Sequence, residues 1–116
     1  MNQALPIGFF QFDNLIKNRV PFFLLRTSLP IESAYGVIER LHLRNYSLII
    51  EKMALVEAQN ALAERATQKH DPIVVLCEQG ADSEKVAQEL VVAGFLNVYF
   101  ILGGWKSIES EIQADK

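Results

Sequence analysis

The chain has 116 residues, half of them hydrophobic and 22% charged, with a formal net charge of −3. A chain of this length and composition buries a sizeable core, so we expect one domain over residues 1–116 and no long disordered segment. The acidic balance argues against nucleic acid and anionic membranes as general partners, because both bind basic surfaces.

Cys77 is the only cysteine of the chain, which excludes an intramolecular disulfide. Residues 1–13 lack the basic start and the long apolar run of a secretory signal. The most apolar stretch, residues 90–105, is shorter than a bilayer span and is interrupted by glycine and asparagine. The sequence therefore predicts a cytoplasmic protein with a reduced thiol and no membrane contact.

The first half of the chain carries weak secondary-structure signals. Residues 6–10 predict a short first strand, and residues 20–25 predict a buried strand that begins after its proline. Between them, Asp13 is a potential cap for a brief helical turn with apolar residues at helical spacing, namely Phe12, Leu15 and Ile16. Residues 29–46 are irregular, with a short strand predicted at residues 37–41.

The second half has clearer patterns. Residues 53–68 are strong helix formers and predict a helix whose core-facing side consists of Met53, Val56, Asn60 and Ala63. Residues 73–77 are a continuous apolar run, which is typical of a central parallel strand. A turn at residues 79–83 then leads into a helix with an apolar stripe formed by Val86, Leu90 and Val91.

The last elements complete an alternating pattern. Gly94 is placed to end the preceding helix in a left-handed cap, and residues 98–101 predict another buried strand. The pair Gly103-Gly104 predicts a tight turn before a short final helix, whose apolar positions are Ile108 and Ile112. Strands and helices therefore alternate, which predicts an α/β fold with a central, mainly parallel β-sheet flanked by helices on both faces.

Cys77 ends the predicted central strand, at the edge of a parallel sheet where ligands bind. The glycine-containing loop and the start of the next helix, which Ser83 is placed to cap, offer free N–H groups there. Such donors stabilise a thiolate and make a cysteine nucleophilic. A cysteine at a strand end can equally be a small buried hydrophobic residue, and position alone leaves both interpretations open.

Three features after residue 71 occur together in one known family. They are the strand that ends in Cys77 with its loop to Ser83, the helix that ends in Ala93-Gly94-Phe95, and the strand that leads into Gly103-Gly104-Trp105. This segment, residues 72–106, resembles the C-terminal half of a rhodanese domain, whereas the first half of the chain resembles the family only faintly. The resemblance implies a rhodanese-like fold.

The same resemblance implies a sulfurtransferase. Cys77 would take sulfane sulfur from a donor such as thiosulfate or a persulfide, hold it as a persulfide, and pass it to cyanide or to a thiol, including a protein thiol. The family needs neither a metal nor an organic cofactor for this reaction. Gly80 would let the loop curl so that the sulfur anion is bound by the backbone N–H groups of Glu78, Gln79, Gly80, Ala81, Asp82 and Ser83.

The loop departs from the family in its charge. Family loops that bind anionic donors often carry Arg or Lys, but this loop has Glu78 and Asp82, followed by Glu84, and Lys85 is the nearest cation. An acidic side chain near the sulfur costs on the order of 1 kcal/mol, and a helix N-terminus returns about 0.3–1 kcal/mol. We therefore expect doubly charged thiosulfate to bind more weakly here than to a basic loop.

The first half also departs from the family. The family's Asp-x-Arg is Leu24-Leu25-Arg26 in this chain, and its Gly-His-Ile is Gly36-Val37-Ile38. These losses keep a second hypothesis open, in which the chain is a catalytically weak or inactive rhodanese-like module that binds a partner protein. A phosphatase of the related fold is disfavoured, because it needs a longer loop closed by an Arg, and Ser83 stands at the corresponding position.

Several other residues favour structural roles. We expect His42 and His70 in surface or turn positions, since nothing in the sequence pairs either of them with the cysteine. Trp105 is expected to anchor the last turn by packing. Arg26 is expected to pair with a carboxylate at a strand end rather than to line the site.

Overall fold

The structure is a computed structural model and describes residues 3–114. Its sheet has five strands: β1 (Leu5–Ile7), β2 (Phe23–Arg26), β3 (Ser47–Ile49), β4 (Ile73–Leu76) and β5 (Val98–Ile101). They lie in the order β1-β5-β4-β2-β3, and every neighbouring pair is parallel. The strand before Cys77 is therefore central, as the sequence predicts.

Five helices cover this sheet: α1 (Phe9–Lys17), α2 (Val37–Tyr46), α3 (Leu55–Glu64), α4 (Ala81–Val92) and α5 (Gly104–Ala114), with a short 3-10 helix at Ile31–Ala34. Buried residues of α3 and α4 pack on one face, and those of α1, α2 and α5 pack on the other. The predicted α/β fold is confirmed, and burial of both faces explains the continuous apolar strands. No helix within residues 3–114 is long and apolar enough to cross a membrane.

The strand β4 joins the two cores. Ile73 and Val75 face α3 and α4, whereas Val74 and Leu76 face the opposite side. All four side chains are fully buried. Because burial of a side chain of this size contributes about 1.5–3 kcal/mol, β4 is firmly anchored, and so is the residue that follows it.

The helix α4 ends as the sequence predicts. Gly94 has φ +107°, and its N–H donates to Val91 O at 3.0 Å, while Phe95 N–H donates to Leu90 O at 3.1 Å. This pair of hydrogen bonds forms a Schellman motif, in which glycine is favoured because φ is positive. Val86 and Leu90 are buried beneath the helix, so its predicted apolar stripe is also correct.

The prediction of a strand at residues 37–41 is wrong, because these residues belong to α2. The apolar side chains of Val37, Ile38 and Leu41 are exposed, and the buried positions of the helix are His42 and Leu43. An outward-facing apolar stripe hides the helical period that sequence analysis relies on. The sequence also does not predict β3, which directly follows α2.

The start of the chain differs from its prediction as well. β1 ends at Ile7, before the predicted strand does, and the N-cap of α1 is Gly8 rather than Asp13. Gln11 fixes this helix start, because its side-chain oxygen accepts a hydrogen bond from Gly8 N–H at 2.7 Å. The predicted apolar positions of the helix are correct, with Phe12 and Ile16 fully buried and Leu15 beside them.

The helix α3 is confirmed, but it is shorter than residues 53–68. Of its predicted core-facing side, Met53 packs against the core from just before the helix, whereas Val56, Asn60 and Ala63 are exposed. Ala58 and Leu62 face the core, with Leu55 packed beside them, whereas Val56 is 68% exposed. The apolar residues recur with a helical period, but the side of the helix that faces the core differs from the predicted one. One of the two buried residues of the helix is Ala58, and alanine is too weakly hydrophobic to mark a buried position in a sequence pattern.

His42 lies buried in α2, which corrects the expectation of a surface or turn position. Its Nε2 is 2.9 Å from Val20 O, and its ring lies against Tyr46 with 4.8 Å between the ring centroids. The carbonyl oxygen satisfies this buried polar side chain. Two other expectations are confirmed, because His70 is exposed in a turn and Trp105 is packed in the core of α1 and α5.

Arg26 ends β2 and forms the structural pair that the sequence predicts. Its buried guanidinium donates to the two carboxylate oxygens of Glu32 at 2.5 and 3.3 Å, and to Leu29 O at 2.8 Å. This bidentate pair ties the end of β2 to the 3-10 helix. Burial raises the pKa of Glu32, but its hydrogen bonds and the charge of Arg26 outweigh burial, so the pKa lies below its ordinary value of 4.5.

We expect Glu32→Gln to lower the free energy of unfolding by about 1–3 kcal/mol at neutral pH, because Arg26 loses its counter-charge. A carboxylate whose pKa is lowered by folding stabilises the folded protein fully at pH values above its pKa in the unfolded chain. This stabilisation is lost as the pH falls through its pKa in the folded protein. The difference from wild type should therefore shrink below pH 4.5. Urea denaturation across this range measures it, with the exposed Glu109→Gln as the control. A pH-independent difference would contradict the role of the ion pair.

Candidate functional site

Cys77 directly follows β4, at the carboxyl edge of the parallel sheet. The strands β2 and β5 lie on either side of β4, so the loops that follow these strands converge around the cysteine. Only 6% of Cys77 is exposed, yet the residue lines an open cavity. The sheet therefore holds the thiol in a fixed position beside that cavity.

The sulfur atom of Cys77 is surrounded by hydrogen-bond partners from its own loop. Gly80 N–H donates to Sγ at 3.2 Å, and Ser83 N–H donates to Sγ at 3.3 Å. The Ser83 hydroxyl accepts from the Cys77 S–H at 3.3 Å and donates to Gly80 O at 3.0 Å. Of the backbone N–H groups at residues 78–83, those of Gly80 and Ser83 thus reach the sulfur.

Ser83 differs from its predicted role as the cap of α4. Gly80 takes the N-cap position because the helix begins at Ala81, which places Ser83 within the first turn. There the Ser83 side chain is fully buried against the sulfur. The N-terminus of a helix of this length carries a partial positive charge, so Cys77 Sγ lies in an environment suited to an anion.

Gly80 and Gly104 allow two segments of backbone to touch at the site. Gly80 has φ +97°, and a Cβ on Gly104 would lie 2.6 Å from Cys77 O, Glu78 O and Gly80 N. Trp105 N–H donates to Cys77 O at 2.9 Å, and the N–H of the following residue donates to Glu78 O at 3.0 Å. The start of α5 therefore supports the cysteine loop, and the close-packed turn predicted from the sequence is confirmed.

The cavity beside Cys77 has a volume of about 780 Å³. Its lining consists of Thr27, Glu51, Lys52, Met53, Ala54, Cys77, Glu78, Gln79, Ala81 and Asp82. Of the six loop residues named from the sequence, four line the cavity, whereas Gly80 and Ser83 contact Sγ and do not line it. The sequence does not predict the contribution of residues 27 and 51–54. Residues 51–54 follow β3, so recognition of that strand would have placed them at this edge of the sheet.

The cavity lining is acidic. Glu51, Glu78 and Asp82 contribute carboxylates, and Lys52 contributes the opposing ammonium. All four residues are exposed, and none of them takes part in the ion pairs found within residues 3–114. The site therefore combines hydrogen-bond donors at Cys77 Sγ with net negative charge at its mouth.

Other polar residues lie outside the cavity. Neither His42 nor His70 lines it, and Arg26 pairs with Glu32 instead. In the described part of the chain, no group of three or more His, Cys, Asp or Glu residues is placed to hold a metal ion.

A family model described as Rhodanese-like domain matches residues 32–111. The thiosulfate sulfurtransferase GlpE of Coxiella burnetii is 41% identical to this chain over an alignment of 51 residues, and the match covers 41% of this chain and 48% of GlpE. The chain spans about half the length of the curated relatives it matches.

Solved structures share the fold at low sequence identity. A polysulfide-sulfur transferase from Wolinella succinogenes has a TM-score of 0.63 and 17% identity, covering 93% of this chain and 74% of that protein. A rhodanese-like domain protein from Staphylococcus aureus has a TM-score of 0.61 and 15% identity, covering 90% of this chain and 91% of that protein. The human single-domain sulfurtransferase TSTD1 has a TM-score of 0.59 and 16% identity, covering 93% of this chain and 97% of that protein.

We expect Gly104→Ala to distort the cysteine loop, because the added Cβ meets three backbone atoms at 2.6 Å and φ at this position is +69°. The free energy of unfolding should fall by about 2–4 kcal/mol. Alkylation of Cys77 by iodoacetamide, a neutral reagent, should change in rate as the loop moves.

The matched control is Gly36→Ala. A Cβ on Gly36 meets only the flexible Glu39 side chain at 3.6 Å, so the cost should stay below about 1 kcal/mol and the alkylation rate should not change. Equal effects of the two substitutions on stability and alkylation would show that the contact at Gly104 does not support the loop.

Proposed function

Because the chain belongs to the rhodanese-like domain family, we propose that it is a sulfurtransferase in which Cys77 carries the transferred sulfur. The observation that supports this most directly is the position of Cys77 Sγ, which receives two backbone N–H groups at 3.2 and 3.3 Å beside an open cavity. The partial match to a protein named thiosulfate sulfurtransferase supports the same reaction class.

The proposed reaction has two steps. In the first, the Cys77 thiolate attacks the sulfane sulfur of a donor such as a persulfide, R–S–S⁻. A new S–S bond forms on Cys77, the S–S bond of the donor breaks, and its electron pair leaves with R–S⁻. In the second step, a thiolate or cyanide attacks the outer sulfur of the Cys77 persulfide, and Cys77 leaves as a thiolate.

Ser83 supports both the thiol and the anionic forms of Cys77. In the thiol form, the Cys77 S–H donates to Ser83 Oγ, and the hydroxyl hydrogen of Ser83 goes to Gly80 O. When the sulfur is anionic it can only accept, and rotation of the hydroxyl lets Ser83 donate to it. The loop thus offers the anion a third donor without movement of the backbone.

We expect wild-type protein to gain the mass of one sulfur atom on incubation with a persulfide donor and to lose it on reduction. Cys77→Ser should show no gain, because the hydroxyl cannot form a persulfide. Intact-mass spectrometry measures both, and thermal unfolding shows that the variant is folded. A reversible gain in Cys77→Ser would show that the sulfur is carried elsewhere.

We expect Ser83→Ala to slow sulfur addition to Cys77 by about 10-fold, because two backbone donors remain but the hydroxyl is lost. Rapid quenching followed by mass spectrometry gives the rate. Ser110→Ala, at an exposed position of α5, is the matched control and should leave the rate unchanged. Equal rates for both variants would remove Ser83 from the proposed reaction.

The second candidate function is a rhodanese-like module that binds a partner protein without efficient transfer. The observation that favours it is the acidic cavity lining, which disfavours doubly charged thiosulfate. The mass measurement separates the two functions. Stable sulfur loading of Cys77 by a neutral donor would argue against the binding module, and no loading of a folded protein with an accessible thiol would argue for it.

A further inference from the structure

Charge at the mouth of the Cys77 cavity acts on every molecule that exchanges sulfur there. Glu51, Glu78 and Asp82 outnumber Lys52, and none of the four is neutralised by an ion pair within residues 3–114. Glu51 follows β3, whereas Glu78 and Asp82 belong to the cysteine loop and the start of α4, so the carboxylates come from two separate segments. A cavity with an excess of one sign of charge concentrates molecules of the opposite sign.

These charges act at short range. Groups that line a cavity of about 780 Å³ lie within roughly one Debye length, about 8–10 Å, of a molecule inside it, so physiological salt screens them incompletely. Each unit charge then changes the local concentration of a singly charged molecule by about 2- to 3-fold. For a doubly charged donor such as thiosulfate, this factor is squared and unfavourable.

We propose that the molecule that exchanges sulfur with Cys77 is a cationic thiol or its persulfide, with positive charge close to the reacting sulfur. This inference rests on the proposed sulfur transfer and names the class of its substrate. The cation faces the carboxylates at the mouth, while the anionic sulfur faces the N–H groups of Gly80 and Ser83. Both a small aminothiol and a cysteine flanked by Lys or Arg in a partner protein offer this chemistry.

The transfer balances without another reactant. The Cys77 thiolate attacks the outer sulfur of the cationic persulfide, and the S–S bond of the donor breaks as the new S–S bond forms. The electron pair leaves with the donor sulfur, so the released thiolate carries its own ammonium or guanidinium as a counter-charge. An anionic donor would instead release a second negative group between the carboxylates.

Three small persulfides of similar size test the effect of charge. Those of cysteamine, 2-mercaptoethanol and 3-mercaptopropionate carry a positive, a neutral and a negative group besides the persulfide. The rate of sulfur addition to Cys77 is measured by quenched mass spectrometry for wild type and for the variant Glu51→Gln/Glu78→Gln/Asp82→Asn. The control is Glu64→Gln, an exposed residue at the other end of α3 that does not line the cavity.

The ratio of variant to wild-type rate cancels the intrinsic reactivity of each donor. The negative charge of the persulfide group is common to all three donors and changes their ratios alike, so the neutral donor is the reference. Relative to the ratio for the 2-mercaptoethanol persulfide, we expect the ratio to be about 10-fold lower for the cysteamine persulfide and about 10-fold higher for the 3-mercaptopropionate persulfide. Glu64→Gln should match wild type with all three donors. High salt should reduce the differences between the charged donors in wild type, which tests the proposal without any substitution.

Equal ratios for the three donors and no salt dependence would overturn the proposal while leaving sulfur transfer by Cys77 intact. No sulfur addition from any donor would overturn the proposed function itself. Two peptide persulfides of equal length, with cysteine between lysines or between glutamates, then identify the source. The rate of each donor with Cys77 is divided by its rate with a free thiol, which removes its intrinsic reactivity. On this scale, a lysine peptide above cysteamine persulfide assigns a protein partner, and one below it assigns a small aminothiol. Equal rates for the two peptides would contradict the proposal.

Discussion

The close approach of Gly104 to the cysteine loop is the constraint on which the site depends. A side chain at this position would occupy the space of backbone atoms of Cys77, Glu78 and Gly80, so the loop and the start of α5 pack main chain against main chain. The first N–H groups of α5 bind the carbonyl oxygens of Cys77 and Glu78. With these carbonyl groups held on one side of the loop, the N–H groups of Gly80 and Ser83 are free to point at Sγ.

The parallel sheet supplies the other half of this arrangement. β4 is buried on both faces, and its two neighbours run in the same direction, so the loops after β2, β3 and β4 contribute to one cavity. The helix α4 is fixed by Val86 and Leu90 in the core, which holds its N-terminus beside Cys77. Rigid elements therefore set the position of the sulfur, and exposed loop residues set its surroundings.

Sequence analysis succeeds where one unbroken run or one residue type determines the local structure. The buried β4 follows from its continuous apolar run, and the cap of α4 follows from Gly94, whereas the cysteine loop is identified by the family resemblance of residues 72–106. Arg26 pairs with a carboxylate as expected. The predictions fail where the pattern mixes surface and core: α2 has an exposed apolar side, and α3 buries Ala58 in place of Val56. Because β3 has only three residues beside α2, the contribution of residues 51–54 to the cavity could not be predicted either.

The structure shows that the N–H donors and the carboxylates of the cysteine loop act at different places, which the sequence alone does not show. The N–H groups of Gly80 and Ser83 contact the sulfur directly, and no solvent screens them. Glu78 and Asp82 are exposed at the mouth, where water weakens their effect on Sγ and an incoming molecule passes beside them. In the proposed transfer, the N–H donors act on the reacting sulfur, which every sulfane donor shares, whereas the carboxylates act on the rest of the molecule, in which donors differ. The proposed reaction is therefore compatible with an acidic loop, whose charge would affect the choice of substrate more than the reaction itself.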